Sequence, residues 1–433
     1  MPYDDEQKKE PDEKSEEPDG ELEEEKFSFL QATVKPKPVT RKRILIQLTR
    51  VGIYGLIFGT FACLGFFALK PWAQSAFQGD PKTVTIPEDE EADTSSDEAS
   101  QESEAMAPAL TADNYKEMMK KVYEVAKEAD KCVVSVQAAG DNDTLSAEGH
   151  GTEGSVAGFI VADNGQEILI LCDNSVCADA KSWKVTFSDD SQYGATLKKQ
   201  DRNSGLAVFG IVRGEVSTTT WNAASVAVLG NSNLVTRGDA VIALGNTFGY
   251  AGGVGYGIIS SNKYEEILAD GERSILTTDI SAAADGTGIL FNLNGEVIGM
   301  IDCGIWEAKE TSTVKALAIS DLKATIELLV NGQSVPYVGV YGTTINEAIS
   351  EEQDMPTGIY VTQVNPDSPA MAAGIQNGDI LQMVGDTKLT NTLSYEKAIM
   401  ESRVGESVKI VGKRRGANGY VDIDFTVTVG SQE

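Results

Sequence analysis

The sequence predicts a mainly β protein: a large all-β domain, a smaller α+β module after it, and one N-terminal helix that spans a membrane. Three observations predict this. From residue 132 to 319 the chain is a succession of short β-branched runs (CVVSVQA, VAGFIVA, EILILC, KVTFSD, AVIALG, EVIGMI) broken by Gly, Asn and Asp. Many short strands at such spacing build a sandwich or a barrel. Residues 333–430 mix strands with two short helical stretches, 369–374 and 394–402, in a length that suits one small module. Residues 51–69, VGIYGLIFGTFACLGFFAL, form an uncharged apolar run of 19 residues, long enough to cross a bilayer.

Residues 1–43 read as an acidic, disordered cytoplasmic tail, since residues 1–26 alone hold 13 acids against 4 Lys. The anchor is placed at 44–70. Arg41, Lys42, Arg43 and Arg50 precede the apolar run and only Lys70 closely follows it, so the basic side stays in the cytoplasm. Tyr54 and Trp72 supply interfacial rings. A cleaved signal peptide fits less well, because the run begins after about forty mostly acidic residues and lacks both a short basic start and a small-x-small site. The expected location is the cell membrane, single-pass, with a cytoplasmic N-terminus and the main domains outside. Residues 71–111 read as an acidic disordered spacer, in which 87–105 carry 9 acids and no Lys or Arg. Like charges extend such a spacer and lift the large domain off the membrane. A net charge of -30 with no basic patch repels phosphate backbones, so no nucleic-acid partner is expected.

The large domain is bounded at 112–332. Residues 112–130 set Met118, Val122, Val125 and Ala129 at helical spacing, with Thr111 or Asp113 as cap. Residues 321–330 are again helical and stop at Asn331-Gly332. Cys63 lies in the span, whereas Cys132, Cys172, Cys177 and Cys303 fall on the exported side. Those four thiols permit three disulfide pairings, or remain as small buried free cysteines. With one His and no C-x-x-C pair, neither a metal site nor a cofactor is expected.

Several segments then occur in a telling order: 154–161 (GSVAGFIV), 228–246 (VLGNSNLVTRGDAVIALGN), Phe248-Gly249, 257–260 (GIIS) and 294–299 (NGEVIG). Over roughly residues 120–430 the chain resembles the HtrA/DegP family. The resemblance implies a trypsin-like double β-barrel at 112–332 and a PDZ domain at 333–430, behind a membrane tether.

It also implies where a catalytic triad would stand. A serine hydroxyl attacks a carbonyl only with a general base in reach and a third group orienting that base. The family's His position falls within residues 171–176 (LCDNSV), which puts Ser175 there, and a hydroxyl cannot act as that base. The family's acid opens an Asp-Leu-Ala-Val strand, where this chain has Gly205. The nucleophile loop corresponds to 284–290 (ADGTGIL): alignment on Leu290 and Asn292 places Gly286 at the nucleophile, and alignment on Thr278-Asp279 offers Thr287 instead. The sole His, His150, sits in a Gly-flanked turn (EGHGTEG) and reads as a solvent-facing turn residue. The resemblance thus implies a protease homologue with a degenerate triad and no proteolysis. The alternative is a residual serine-type or Thr-based endopeptidase.

Tyr337, Val338, Gly339 and Val340 look like the family's carboxylate-binding loop, in which consecutive backbone N–H groups hold a peptide C-terminus. Segments 358–364, 368–370, 373–374 and 377–381 match the PDZ core pattern and mostly hold the fold. A peptide would add as a strand between the loop and the helix near residues 394–400. The expected partners are C-termini or extended segments of exported or misfolded proteins, in envelope protein quality control or regulation of an active protease. A homo-trimer, or a mixed oligomer with an active family member, is the assembly the resemblance implies.

Overall fold

The computed structural model describes residues 49–50, 52–54, 56, 60–61, 81–89, 111–139, 154–178, 180–283, 286–301 and 313–433. The chain divides into two units, Met1–Phe77 and Gln78–Glu433. In the first, the described residues between 49 and 61 are helical, and the Thr60 hydroxyl donates to the Leu56 carbonyl at 3.0 Å. Ile53, Tyr54, Leu56 and Phe61 are exposed there. Among the described residues no helix is long and apolar enough to cross a membrane. The expected span at 51–69 lies for most of its length outside the described residues, as do the acidic tail, His150, Cys63 and Cys303.

The second unit opens with residues 81–89 and then α1 (Ala112–Ala129). The Thr111 side chain caps α1 by accepting from Asn114 N–H at 3.3 Å. Only the last turns of α1 are covered: Ala126 and Ala129 are buried and Val122 and Val125 pack against the core, whereas Met118 is exposed. Helical spacing thus identified the helix correctly, although only its C-terminal half meets the core.

Six strands close the first barrel: β1 (Val133–Ala138), β2 (Ser155–Asp163), β3 (Glu167–Asp173), β4 (Trp183–Thr186), β5 (Gln192–Asp201) and β6 (Leu206–Val212), in the order β1-β2-β3-β6-β5-β4. A short α2 (Thr218–Ala223) leads to the second barrel. Its strands are β7 (Ala240–Gly245), β8 (Gly253–Leu268), β9 (Gly271–Ser281), β10 (Gly288–Asn292), β11 (Val297–Ile301) and β12 (Thr313–Ala318), in the order β10-β11-β12-β9-β8-β7. All pairings are antiparallel, as hairpin-connected strands require. Closure leaves neither barrel an open edge.

Each barrel has its own apolar interior, with Ile160, Ile170 and Phe209 in the first and Ala243, Leu290 and Ala316 in the second. A third and larger core lies between them. Phe159, Leu171 and Val208 of the first barrel meet Leu244, Ile289 and Phe291 of the second, joined by Leu322, Ile326 and Leu329 of α3 (Ile319–Val330). Strand residues alternate faces, so a strand between two cores is apolar on both. This is why EILILC in β3 reads as one continuous apolar run.

The last region holds α4 (Glu347–Gln353), α5 (Pro369–Ala373) and α6 (Thr392–Met400) on an antiparallel sheet. Its strands β13 (Val340–Ile345), β14 (Gly358–Val364), β15 (Ile380–Val384), β17 (Ser407–Gly416) and β18 (Gly419–Thr428) form one path, with β16 (Thr387–Lys388) paired to β15. Ser368 caps α5 with Pro369 in its first turn, and Gly374 closes it at φ +87. The two helices expected from the sequence, 369–374 and 394–402, fall within two residues of α5 and α6, whereas α4 was not expected.

Candidate functional site

The expected base position, Ser175, lies in a single 3-10 turn, Asn174–Cys177, directly after β3. The buried Asp173 carboxylate caps this turn, accepting from Ser175 N–H at 2.6 Å. Asn174 N–H donates to the Gly205 carbonyl at 2.9 Å, so the expected base and acid positions are neighbours in space. Gly205 itself has φ +72. The nearest acid in sequence, Asp201, accepts from Ser204 N–H at 2.9 Å and closes its own turn. Burial pushes its carboxyl up from the ordinary value.

On the second barrel, a Cβ at Gly286 would lie 2.3 Å from the Thr247 carbonyl oxygen, and that contact is backbone. The position therefore has no room for any side chain without a shift of the loop. Thr287 is 8% exposed, and its hydroxyl accepts from Ala157 N–H of β2 at 2.8 Å. Among the described residues no imidazole, amine or carboxylate hydrogen bonds to it. The Thr287 hydroxyl thus ties the two barrels together and is turned away from solvent. Among the described residues no group of three His, Cys, Asp or Glu side chains is arranged to hold a metal.

Cys132, Cys172 and Cys177 are free thiols. Burial pushes Cys132 up to about 12 and Cys177 up to about 11, and it pushes Cys172 well above its ordinary value.

The loop before β13 is where charge and geometry converge. Val338 and Gly339 N–H donate to Oδ2 of Asp270 at 2.6 and 2.7 Å, and Val340 N–H donates to Oδ1 at 2.9 Å. The Tyr395 hydroxyl of α6 donates to the same Oδ1 at 2.7 Å. Gly339 has φ +92, and a Cβ there would lie 2.4 Å from Ser368 Cβ, so only Gly lets the amides turn inward together. The fourth residue of the expected loop, Tyr337, plays another part: its backbone pairs with Gly430, and its hydroxyl accepts from Asn365 Nδ2 at 2.7 Å.

Asp270 is not part of this region. It forms the tip of the β8-β9 hairpin of the second barrel, at φ +64, and is 6% exposed. Burial pushes its carboxyl up, while the four donors pull the other way. All four donors are satisfied together only by an ionised carboxylate, two on each oxygen. Beside it, Arg273 Nη1 meets Glu396 of α6 at 2.6 Å. Sequence reasoning singled out residues 337–340 but neither Asp270 nor Tyr395. An Asp-Gly between two strands reads only as a hairpin turn, and nothing local says what the carboxylate faces.

A family model described as a trypsin-like peptidase domain matches residues 156–300, and one described as a PDZ domain matches residues 336–425. A probable periplasmic serine endoprotease, DegP-like, of Rickettsia prowazekii is 31% identical over 290 residues, covering 64% of this chain and 53% of that protein. The human serine protease HTRA3 is 29% identical over 282 residues, covering 60% of this chain and 59% of that protein. The chain thus spans a little over half the length of these relatives. Among solved structures, an HtrA-type protease AlgW with a decapeptide superposes with a TM-score of 0.51 at 20% identity, over 72% of this chain and 99% of that one. At that identity the match speaks to the fold alone.

Proposed function

The chain belongs to the HtrA family, with a trypsin-like peptidase domain followed by a PDZ domain, and from that premise we propose that it is a proteolytically inactive homologue whose PDZ loop binds peptide C-termini. The observation that carries the binding half is chemical. Val338, Gly339 and Val340 already hold a carboxylate through three converging amides, so the loop is competent for the group that ends every peptide.

The inactive half is supported by the residues at the triad positions. Ser175 offers no base, Gly205 has no side chain, and the backbone around Gly286 has closed over the place a nucleophile would need. Thr287 is buried, and among the described residues no base hydrogen bonds to its hydroxyl. Losing triad members typically removes several powers of ten in rate. Partners in this reading are exported or misfolded segments, met at the outer face of a membrane to which residues 51–69 tether the chain.

Two measurements on the full-length chain test it. Unfolded casein should stay intact at high enzyme-to-substrate ratio, and cleavage that Thr287→Ala abolished would overturn the inactive reading in favour of a Thr-based endopeptidase. Peptides with a free C-terminal carboxylate should bind, and the same peptides amidated should not.

A further inference from the structure

We propose that Asp270 is a built-in stand-in for a ligand's C-terminal carboxylate, so that the hairpin carrying it latches the PDZ groove shut against free peptide C-termini. The inference rests on the reading that this loop binds such termini.

The imitation extends beyond the carboxylate. A C-terminal residue entering such a groove presents two features at once: a carboxylate to the loop amides and a backbone N–H to the adjoining strand. Asp270 presents both. Its side chain takes the amides of Val338, Gly339 and Val340, and its own N–H donates to the Val340 carbonyl, at the start of β13, at 2.7 Å. The hairpin then continues toward the other wall of the groove. Arg273 pairs with Glu396 of α6, and a Cβ at Gly271 would lie 2.6 Å from a Glu396 carboxylate oxygen, so the turn fits closely against that helix.

From the opposite side, Asn203 of the first barrel holds the tip by donating from Nδ2 to the Ala269 carbonyl at 2.8 Å. Each amide N–H of the loop has one proton to donate. A peptide carboxylate and Asp270 therefore exclude one another, and occupancy by one requires departure of the other.

The thermodynamic consequence is a reduced apparent affinity. An intramolecular occupant competes at an effective concentration in the millimolar range when its tether is short. A free C-terminus binds only the fraction of molecules whose hairpin has left, and its apparent Kd rises by the inverse of that fraction. The same linkage runs in reverse: a bound terminus holds the hairpin out and frees the β8-β9 rim of the second barrel.

The test uses the full-length chain and a pool of fluorescently labelled decapeptides ending in apolar residues, with free or amidated C-termini, read by anisotropy. Asp270→Ala should bind the free-carboxylate pool about tenfold or more tightly than the unaltered chain, with no binding of the amidated pool. Equal affinity of the two proteins overturns the latch and leaves the binding reading standing. No binding by either, while hydrogen exchange reports the amides of Val338, Gly339 and Val340 open in Asp270→Ala, overturns both. Should Asp270→Ala fail to fold, two milder variants carry the comparison. Asp270→Asn keeps the shape but turns an amide N–H₂ toward the donors, and Tyr395→Phe removes one donor and keeps the ring. Both should bind more tightly than the unaltered chain, and unchanged affinity in both overturns the latch.

Discussion

Gly286 and Thr287 differ by one position in the alignment, and in the fold they differ in kind. Gly286 sits where a Cβ would enter the Thr247 carbonyl, while Thr287 fills a gap between barrels with its hydroxyl bonded to Ala157. Restoring a serine at the preferred position therefore should not restore chemistry. We expect Gly286→Ser to lose about 1–3 kcal/mol of stability, the usual range for forcing atoms into a packed site, and to cleave no casein. A urea midpoint and a casein assay check both halves. The thiols give a second prediction at this scale. An ordinary Cys near 9 is partly thiolate at pH 8, whereas Cys177 at about 11 is not. Its alkylation by iodoacetamide at pH 8 should run about a hundredfold slower than in the unfolded chain, because the thiolate is the nucleophile. Mass spectrometry of timed samples reads this directly.

Among the elements, α3 is the one with most duties. It packs the core between the barrels, and it also holds residues 81–89, which by composition belong to a spacer. Val84 N–H donates to Asn331 Oδ1 at 3.1 Å, Asn331 Nδ2 donates to the Val84 carbonyl at 2.8 Å, and Ile86 N–H donates to Glu327 at 2.8 Å. Asp89 completes the contact through Lys323 at 2.6 Å, with the two side chains 13% and 7% exposed. Removing one member of a pair so covered leaves the other charge unsatisfied. Asp89→Asn should cost about 1–3 kcal/mol, seen as a lower urea midpoint at unchanged m, and should speed proteolysis between residues 81 and 89. Composition alone could not place this segment, because these four polar contacts outweigh a few acids. For similar reasons the strands were unevenly legible. The buried β2, β3, β6 and β7 announced themselves as β-branched runs, whereas β5, a mostly half-exposed QYGATLKKQD, carries no such signal and is a strand because its neighbours pair with it.

At the scale of the whole second unit, the question is what couples the barrels to the PDZ domain. Besides Asp270, the coupling runs through Arg273 and Glu396, 2.6 Å apart and 7% and 18% exposed. Burial pushes the Glu396 carboxyl up even though Arg273 draws it down, and Arg273 Nε has no partner among the described residues. Such a pair is costly to break and of small net value as a pair. A double-mutant cycle with Arg273→Met and Glu396→Leu should show each single change destabilising, the double change milder than their sum, and a coupling of about 1–3 kcal/mol. Calorimetry should find the unaltered barrels and PDZ domain melting together and the single variants separating into two transitions. Additive effects would show that the contact carries no coupling.

What the sequence determined by itself was everything set by local pattern. Alternating and continuous apolar runs made strands, Asn331-Gly332 stopped a helix, and the Tyr-Val-Gly-Val stretch marked a loop. It also determined which side chains stand at Ser175, Gly205 and Gly286, since that is a matter of identity. Only the tertiary structure decided what those places face. The Thr247 carbonyl closes on Gly286, the Thr287 hydroxyl bonds across to Ala157, and Asp270 arrives in the loop from 68 to 70 residues away. The physical reason is that a hydrogen bond depends on where two groups meet in space. Sequence pattern reports the conformation of each segment but not its distant partners, and so it named the residues at 175, 205, 286 and 337–340 without what each of them faces.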